Sequence, residues 1–515
     1  MLVKDHRYSV SRVTTSPRRA IAWYPTTVVV ALGGLLLGVV SGSGSIVAGA
    51  AGATAVLLVA RLLTPAFALT ALLLVFAVVP FDYLPARAPL AIVSPLIILL
   101  GLVAAATGGP PPHWLRGVWL APPVAFAIYT IILPVLQPHG QLQTVASWTV
   151  VVIVALIAVP LWMTDATVFR PVTRALLLIA VGLAVVGGVE YVTHSNPYSV
   201  LFANAPFPLV QEWSVYRIMT TLGHPLVNST FFAAVGSLAF GLFLTRARLG
   251  LVIAFAASCS GILLSGSRGG LLAIGVGVLF AGAVATFRLT ANRLLRLLLA
   301  FVPLVAIIVV VGPASLDSRS DSEEGRTSAD ARSLVLQIAL KVARTTIGVF
   351  GSGGGLSGTV FRENGGGDYV LESSVWQVVF SYGVIGAALL LSYIVVVLAR
   401  SIARGAIAGP AMLVAYSVSA SSFNLFESAP AALIIPAVAI ILTISEARTA
   451  HEGAPVDHVR TSDVRRARRP VAAPRRVPPS IVRSRASGRR SLPSGVLPTS
   501  SAPNSAGGAP SDSSR

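Results

Sequence analysis

Long apolar runs alternate with short polar connections over most of the chain, and the runs lack the period-two alternation of barrel strands. Such runs cover Ile21–Val40, Ser45–Val59, Pro65–Val79, Leu90–Ala106, Val118–Val135, Val145–Trp162 and Ala175–Val189. They continue through Phe231–Leu244, Leu249–Leu264, Gly269–Ala285, Leu294–Val311, Val375–Leu398, Ala411–Ser422 and Ala431–Ser445. Inside a bilayer the backbone must satisfy its own polar groups, so each run is expected to be a helix. A crossing helix needs roughly 20 residues, and the shorter runs are expected to extend into their flanks. The pattern predicts an all-α, polytopic transmembrane helical protein of about 12–14 spans. One large exterior loop, 312–374, stands before the last three. This divides the chain into a basic N-terminal tail (1–20), a helical scaffold (21–189), a core that contains the loop (190–445) and a basic tail (446–515).

Composition agrees. Of the 515 residues 55% are hydrophobic and 11% charged, and the mean hydropathy is +0.80. A soluble protein carries roughly 25% charged residues. The formal net charge is +19, and much of it sits in the two tails, which points to anionic membrane lipids as partners. Neither tail has the look of a folded basic module, so nucleic acid is not expected. From about Ala447 onward the chain is mainly Arg, Pro, Ser, Ala and Gly, with pairs such as Arg465-Arg466 and Arg475-Arg476. Such a tail is expected to stay disordered, in contact with lipid headgroups or simply solvated. Cys259 is the only cysteine and lies in an apolar run, which excludes an intramolecular disulfide and a thiol cluster. The first apolar run follows a basic segment with no small-residue cleavage site, so it is expected to be a retained span.

Orientation follows from the arginines. If Lys4, Arg7, Arg12, Arg18 and Arg19 are cytoplasmic, alternation puts Arg61, Arg116, Arg170, Arg174, Arg246, Arg248, Arg288, Arg293, Arg296, Arg400 and Arg404 on the same side. Both termini are then expected in the cytoplasm. Three unusual segments fall on the other side, and each carries arginine: 190–228, the turn 265–270 and the loop 312–374. A bound anion accounts for cations placed against the positive-inside rule.

The candidate chemistry lies in those three segments. Arg268 stands among Gly266, Gly269 and Gly270 at the head of a span. There a helix N-terminus and a guanidinium together suit a phosphate or pyrophosphate, although an interfacial arginine beside packing glycines has the same pattern. Arg217 and His224 are seven residues apart and share a face if the stretch is helical. Arg217 adds a second cation, and His224 reads as base, acid, hydrogen-bond donor or helix-entry residue ahead of Pro225. Within the loop stand Arg326 and Arg332, the latter opening an amphipathic piece to Thr345 with Leu334, Ile338 and Val342 at four-residue spacing. That piece fits a helix on the membrane surface. The run Gly348–Gly355 lacks the Lys-Ser/Thr ending of a P-loop and reads as a close turn over substrate or as a flexible link. Glu372, where the chain re-enters the membrane, can take a proton from a sugar hydroxyl or can be merely solvated. Trp376 can stack on a sugar or anchor the helix at headgroup level. No metal cluster and no cofactor are expected.

These pieces in this order resemble the O-antigen ligase and polysaccharide polymerase superfamily of bacterial inner membranes. The resemblance runs over Arg217 with Pro225, Ser267-Arg268-Gly269, loop Arg332, the turn Ile347–Gly353, Glu372–Trp376 and Tyr382-Gly383 to Gly386. The family shows a histidine where this chain has Glu372, and a tryptophan soon after the loop arginine that this chain lacks. The departure fits a polymerase-like or divergent member better than a ligase. The resemblance implies a glycosyltransferase of the inner membrane working on undecaprenyl-pyrophosphate-linked oligosaccharide and a glycan acceptor, alongside other polysaccharide-assembly proteins. Glu372, Arg268 and Arg217 would be catalytic, with Arg332, Arg326, His224 and Trp376 at the substrate. The alternatives are a lipid-glycan transporter or flippase and a non-catalytic assembly partner.

Overall fold

In the computed structural model the described residues are 63–79, 95–109, 111–136, 141–199, 216–287, 323–347, 349–367 and 369–452. Among them there is helix and no strand, as the apolar runs require. The helices are α1 (Pro65–Val78), α2 (Pro95–Thr107), α3 (Gly117–Val135), α4 (Leu142–Trp162), α5 (Ala166–Thr193), α6 (Pro225–Thr245) and α7 (Leu249–Leu264). They continue as α8 (Arg268–Thr286), α9 (Glu323–Val342), α10 (Ser357–Phe361), α11 (Ser374–Ala403), α12 (Ala408–Ser421), α13 (Leu425–Ser428) and α14 (Pro430–His451). Among the described residues seven helices are long and apolar enough to cross a membrane, and this is a polytopic helical membrane protein. The expected spans 21–40, 45–59 and 294–311, and the tail beyond 452, lie outside the described residues.

Several helices outrun their apolar runs. α5 begins at Ala166 and not Ala175, with Asp165 accepting the Thr167 N–H at its start. It takes in Arg170 and Arg174, because polar residues at a helix end reach water without leaving the helix. In α4, Pro160 removes an N–H, and the turn before it widens into a π-bulge at Ile153–Ala158.

α6 and α14 lie inside the bundle, 89% and 94% buried over their apolar stretches, against 28% for the peripheral α3. Small residues allow the neighbours of α6 to approach closely. A Cβ on Gly241 would meet Ala408 of α12, one on Gly236 would meet Ile274 of α8, and one on Gly261 of α7 would meet the Phe232 ring. Without a hydrophobic driving force in lipid, such contacts and interhelical hydrogen bonds are what hold helices together. Thr230 and Ser419 supply one such bond at 2.7 Å. Glu446 of α14 supplies others, accepting the N–H groups of Ile407, Ala408 and Gly409 at the head of α12. These donors have no partner within their own helix.

The packing gives the bundle two distinct ends. One gathers Arg400 stacked on Trp119 and Arg404 stacked on Trp114, both at 4.4 Å, and Arg448 bonded to the Thr164 carbonyl. The other gathers the end of α1, the start of α6, the α7–α8 turn and the segment that precedes α11. Tyr129 of α3 reaches this second end, donating to the carbonyls of Phe350 (2.5 Å) and Tyr382 (2.8 Å).

α11 is broken at Gly383, whose φ is +65°. The break admits the segment 349–353, which bonds to the opened helix through Ser352 N–H to Phe380 O, Gly353 N–H to Ser381 O and Ile385 N–H to Val349 O. A Cβ on Gly383 would collide with the Val349 and Phe350 backbone. Gly383→Ala is therefore expected to cost at least about 2 kcal/mol, from left-handed strain and lost docking together. Gly182→Ala in α5, where nothing lies within 4 Å of the new methyl, should be neutral or slightly stabilising. Thermal unfolding of both variants in detergent checks this; equal midpoints would contradict the docking.

Candidate functional site

The segment before α6 is not the helix that a shared face for Arg217 and His224 would need. Residues 216–219 form no helix, and a tight turn follows in which Thr220 has φ +46° and Gly223 +74°. The strain at Thr220 is held from both sides. Glu190, fully buried near the end of α5, accepts the N–H groups of Met219 and Thr220 at 2.8 and 2.7 Å, and the Tyr216 hydroxyl. Asn228 of α6 donates to Met219 O and accepts the Thr220 hydroxyl at 2.6 Å each. This clamp orients Arg217, a buried residue whose Nε donates to Ser265 O at 2.8 Å. Arg217 is thus tied to the turn that carries Arg268.

Arg268 is the first residue of α8 and is exposed. Ser267 caps the helix by accepting the Gly270 N–H. The neighbouring glycines serve packing: a Cβ on Gly269 would meet Ser422, and one on Gly270 would meet Ser229. The packing explanation thus holds for the glycines, while the guanidinium stays free to face solvent at a positive helix terminus.

His224 is the N-cap of α6. Its Nδ1 accepts the Leu226 N–H at 3.1 Å, and its ring stacks on Phe423 at 4.9 Å. Burial, then the nearby Arg217 charge, lowers its pKa from 6.5 to about 4. With Nδ1 committed as an acceptor, the neutral ring carries its proton on Nε2. His224 therefore enters the site as a hydrogen-bond donor and helix-entry residue, and its geometry does not suit a general base at neutral pH.

Phe423 joins this half of the site to the long loop. Its carbonyl accepts both the N–H (2.9 Å) and the hydroxyl (2.7 Å) of Ser374, at the head of α11. Two residues earlier, Glu372 pairs with Arg332 of α9, Nε to Oε2, at 2.8 Å, both side chains being about half exposed. α9 starts well before Arg332, and its buried stripe is Val335, Ala339 and Val342, packed with Ile347, Phe361, Leu371 and Phe380. The four-residue repeat placed Leu334 on that stripe, but Leu334 is 39% exposed. The helix is rotated so that Arg332 reaches Glu372. Trp376 is engaged in the same small core, edge-on to Phe380. Arg326 lies on α9, and its side chain is outside the described residues.

The glycine-rich run is an anchored turn. Gly355 and Ser357 donate backbone N–H groups to Glu427 of α13, and the Ser357 and Ser381 hydroxyls donate to the same carboxylate. A Cβ on Gly354 or Gly355 would collide with Trp148, which itself stacks on Phe426. Burial raises the pKa of Glu427 above the ordinary carboxylate value, and the four donated bonds oppose that rise.

The structure therefore links Arg217, His224, Arg268, Arg332, Glu372 and Trp376 at one end of the bundle, through Ser422 and Phe423. Sequence reading missed Glu190, Phe423 and Glu427. Glu427 had a visible signal, a lone carboxylate in a short connection between two apolar runs. Among the described residues no group of three or more His, Cys, Asp or Glu side chains gathers as a metal site. The chain matches no protein-family model, and no curated protein matches it significantly.

The His224 geometry fixes a pH response. A folded pKa below the unfolded one means that the unfolded chain binds the proton more tightly. The contribution to stability is then complete above about pH 6.5 and is lost as pH falls toward 4, by up to roughly 3 kcal/mol. His224→Asn, which keeps a capping acceptor, should flatten that step in thermal midpoints measured from pH 7.5 to 4.5. An unchanged step would show that another group titrates.

Proposed function

We propose that this protein is a membrane glycosyltransferase that polymerises or ligates glycans carried on undecaprenyl pyrophosphate. It would belong with the O-antigen ligase and polysaccharide polymerase proteins that its motifs resemble. The supporting observation is the Arg332–Glu372 pair, seated through Ser374 on Phe423 beside the clamped Arg217 and the helix start at Arg268. A carboxylate and several cations at one end of an apolar bundle suit a substrate with an acceptor hydroxyl, a pyrophosphate leaving group and a lipid tail.

In this reading Glu372 accepts the proton of an acceptor sugar hydroxyl. The hydroxyl oxygen attacks the anomeric carbon from the face opposite the pyrophosphate, and the bond from that carbon to the pyrophosphate oxygen breaks. The bonding pair leaves with the pyrophosphate, where Arg268 and Arg217 receive the developing charge. The proton ends on Glu372, and the new linkage has inverted configuration. Arg332 positions Glu372 through their ion pair, a different part from direct pyrophosphate binding. Nε2–H of His224 is a further donor to the leaving group.

Orientation follows the same proposal. The end bearing Arg116, Arg170, Arg174, Arg246, Arg248, Arg400 and Arg404 lies toward the cytoplasm, and the Glu372 end faces the exterior of the cytoplasmic membrane.

Purified protein in lipid, supplied with lipid-linked oligosaccharides from the producing cell, tests the reaction. Glu372→Gln should lower turnover by about 10²–10⁴-fold, and Arg268→Ala by about 10²–10³-fold, with both proteins folded and inserted. A product ladder from the wild type identifies a polymerase, and a single discrete transfer a ligase. Normal turnover in both variants, or no product from folded wild type with intact substrate, would overturn the enzymatic reading.

A further inference from the structure

The other ends of α5 and α6 frame a second feature that the glycan chemistry does not use. Between Glu190 and Arg174 α5 runs 16 residues, about 24 Å along its axis, so this feature lies far from Arg217 and His224. There a groove of about 610 Å³ opens between α5, the end of α6 and the start of α7. Four arginines line it, Arg170 and Arg174 from α5 and Arg246 and Arg248 from the α6–α7 turn, and no acidic side chain does. All four are exposed. Glu446 is near enough to interact with Arg246, but its oxygens are taken up by the head of α12.

Two further observations say what the groove takes. Thr173, 6% exposed, lines it, and its hydroxyl makes no hydrogen bond among the described residues. A buried hydroxyl without a partner is destabilising, and an acceptor oxygen in the groove would relieve it. The wall is otherwise apolar, formed by leucines such as Leu177, Leu178 and Leu251, and Leu178 is 65% exposed on the outer face of the bundle. Cations with a hydroxyl donor suit a phosphate ester, and the leucines suit hydrocarbon continuing from it. A soluble phosphate would leave that apolar wall without a use.

We propose that this groove binds an anionic phospholipid, its phosphate held by Arg170, Arg174, Arg246 and Arg248 with the Thr173 hydroxyl, and its acyl chains lying along the leucines. The site is independent of the glycan reading and stands whether or not the protein is an enzyme. It anchors the end of the bundle opposite Glu372 to charged headgroups.

Native mass spectrometry of the delipidated full-length protein, offered equal amounts of phosphatidylglycerol and phosphatidylcholine, tests the proposal. The wild type should retain phosphatidylglycerol on the order of tenfold better. The variant R170Q/R174Q and the variant R246Q/R248Q should each lose most of that preference. Thr173→Val, close in shape and safe for folding, should weaken phosphatidylglycerol retention several-fold. The variant R400Q/R404Q, at the same end but stacked on tryptophans, should keep the preference. Equal retention of the two lipids by wild type would overturn the proposal. So would loss in R400Q/R404Q equal to that in the groove variants, or displacement of the lipid by millimolar inorganic phosphate.

Discussion

The carboxylate of Glu427 is the contact on which the arrangement at the Glu372 end depends. A chain that leaves helical conformation at the edge of a membrane must find partners for each freed N–H. Glu427 takes those of Gly355 and Ser357 and adds the hydroxyls of Ser357 and Ser381. Hydrogen bonds to a charged acceptor are worth about 1.5–3 kcal/mol each, enough to hold a glycine-rich run that would otherwise wander. Once that run is fixed, segment 349–353 fills the break at Gly383, and Tyr129 bonds to both sides of the contact. The head of α11 then has one place to go, with Ser374 on the Phe423 carbonyl. Glu372, two residues before it, meets Arg332 as a result.

A second carboxylate, Glu190, repeats this logic on the other side of Phe423. It holds a strained turn by its N–H groups, as Glu427 holds the glycine turn. Both acids spend their oxygens on backbone N–H groups and hydroxyls. Acids that bind backbone donors build a rigid frame, within which Arg217 bonds Ser265 and Arg332 pairs with Glu372. At the far end of the bundle Glu446 does the same for the head of α12.

How far this could be read from the sequence depends on the kind of interaction. Helices were legible because hydrocarbon forces an apolar run into helix, whatever its neighbours. Their ends were less so: Arg170 and Arg174 look like a connection, yet they lie inside α5. The spacing of Arg217 and His224 puts them on one face only if 216–224 is helical, but Glu190, 26 residues before Tyr216, holds the stretch as a turn. The Arg332–Glu372 pair spans 40 residues, and no local pattern marks it. Gly383 and the run 348–355 were visible as separate glycine motifs; that one docks into the other is a tertiary fact. The rotation of α9 escaped because its stripe includes Ala339, a small residue that hydrophobic spacing underweights.

The account stands or falls on whether a polyprenyl pyrophosphate sits at the Glu372 end of the bundle. The direct measurement is photocrosslinking of a diazirine-bearing polyprenyl-pyrophosphate glycan to the protein in lipid vesicles, with the modified peptides mapped by mass spectrometry. Labels falling within 216–224, 265–270, 332–376 or 422–427, and competed away by unlabelled lipid-linked glycan, are the predicted result. Labels confined to the arginine-lined groove between α5 and α7, or scattered without competition, would contradict it.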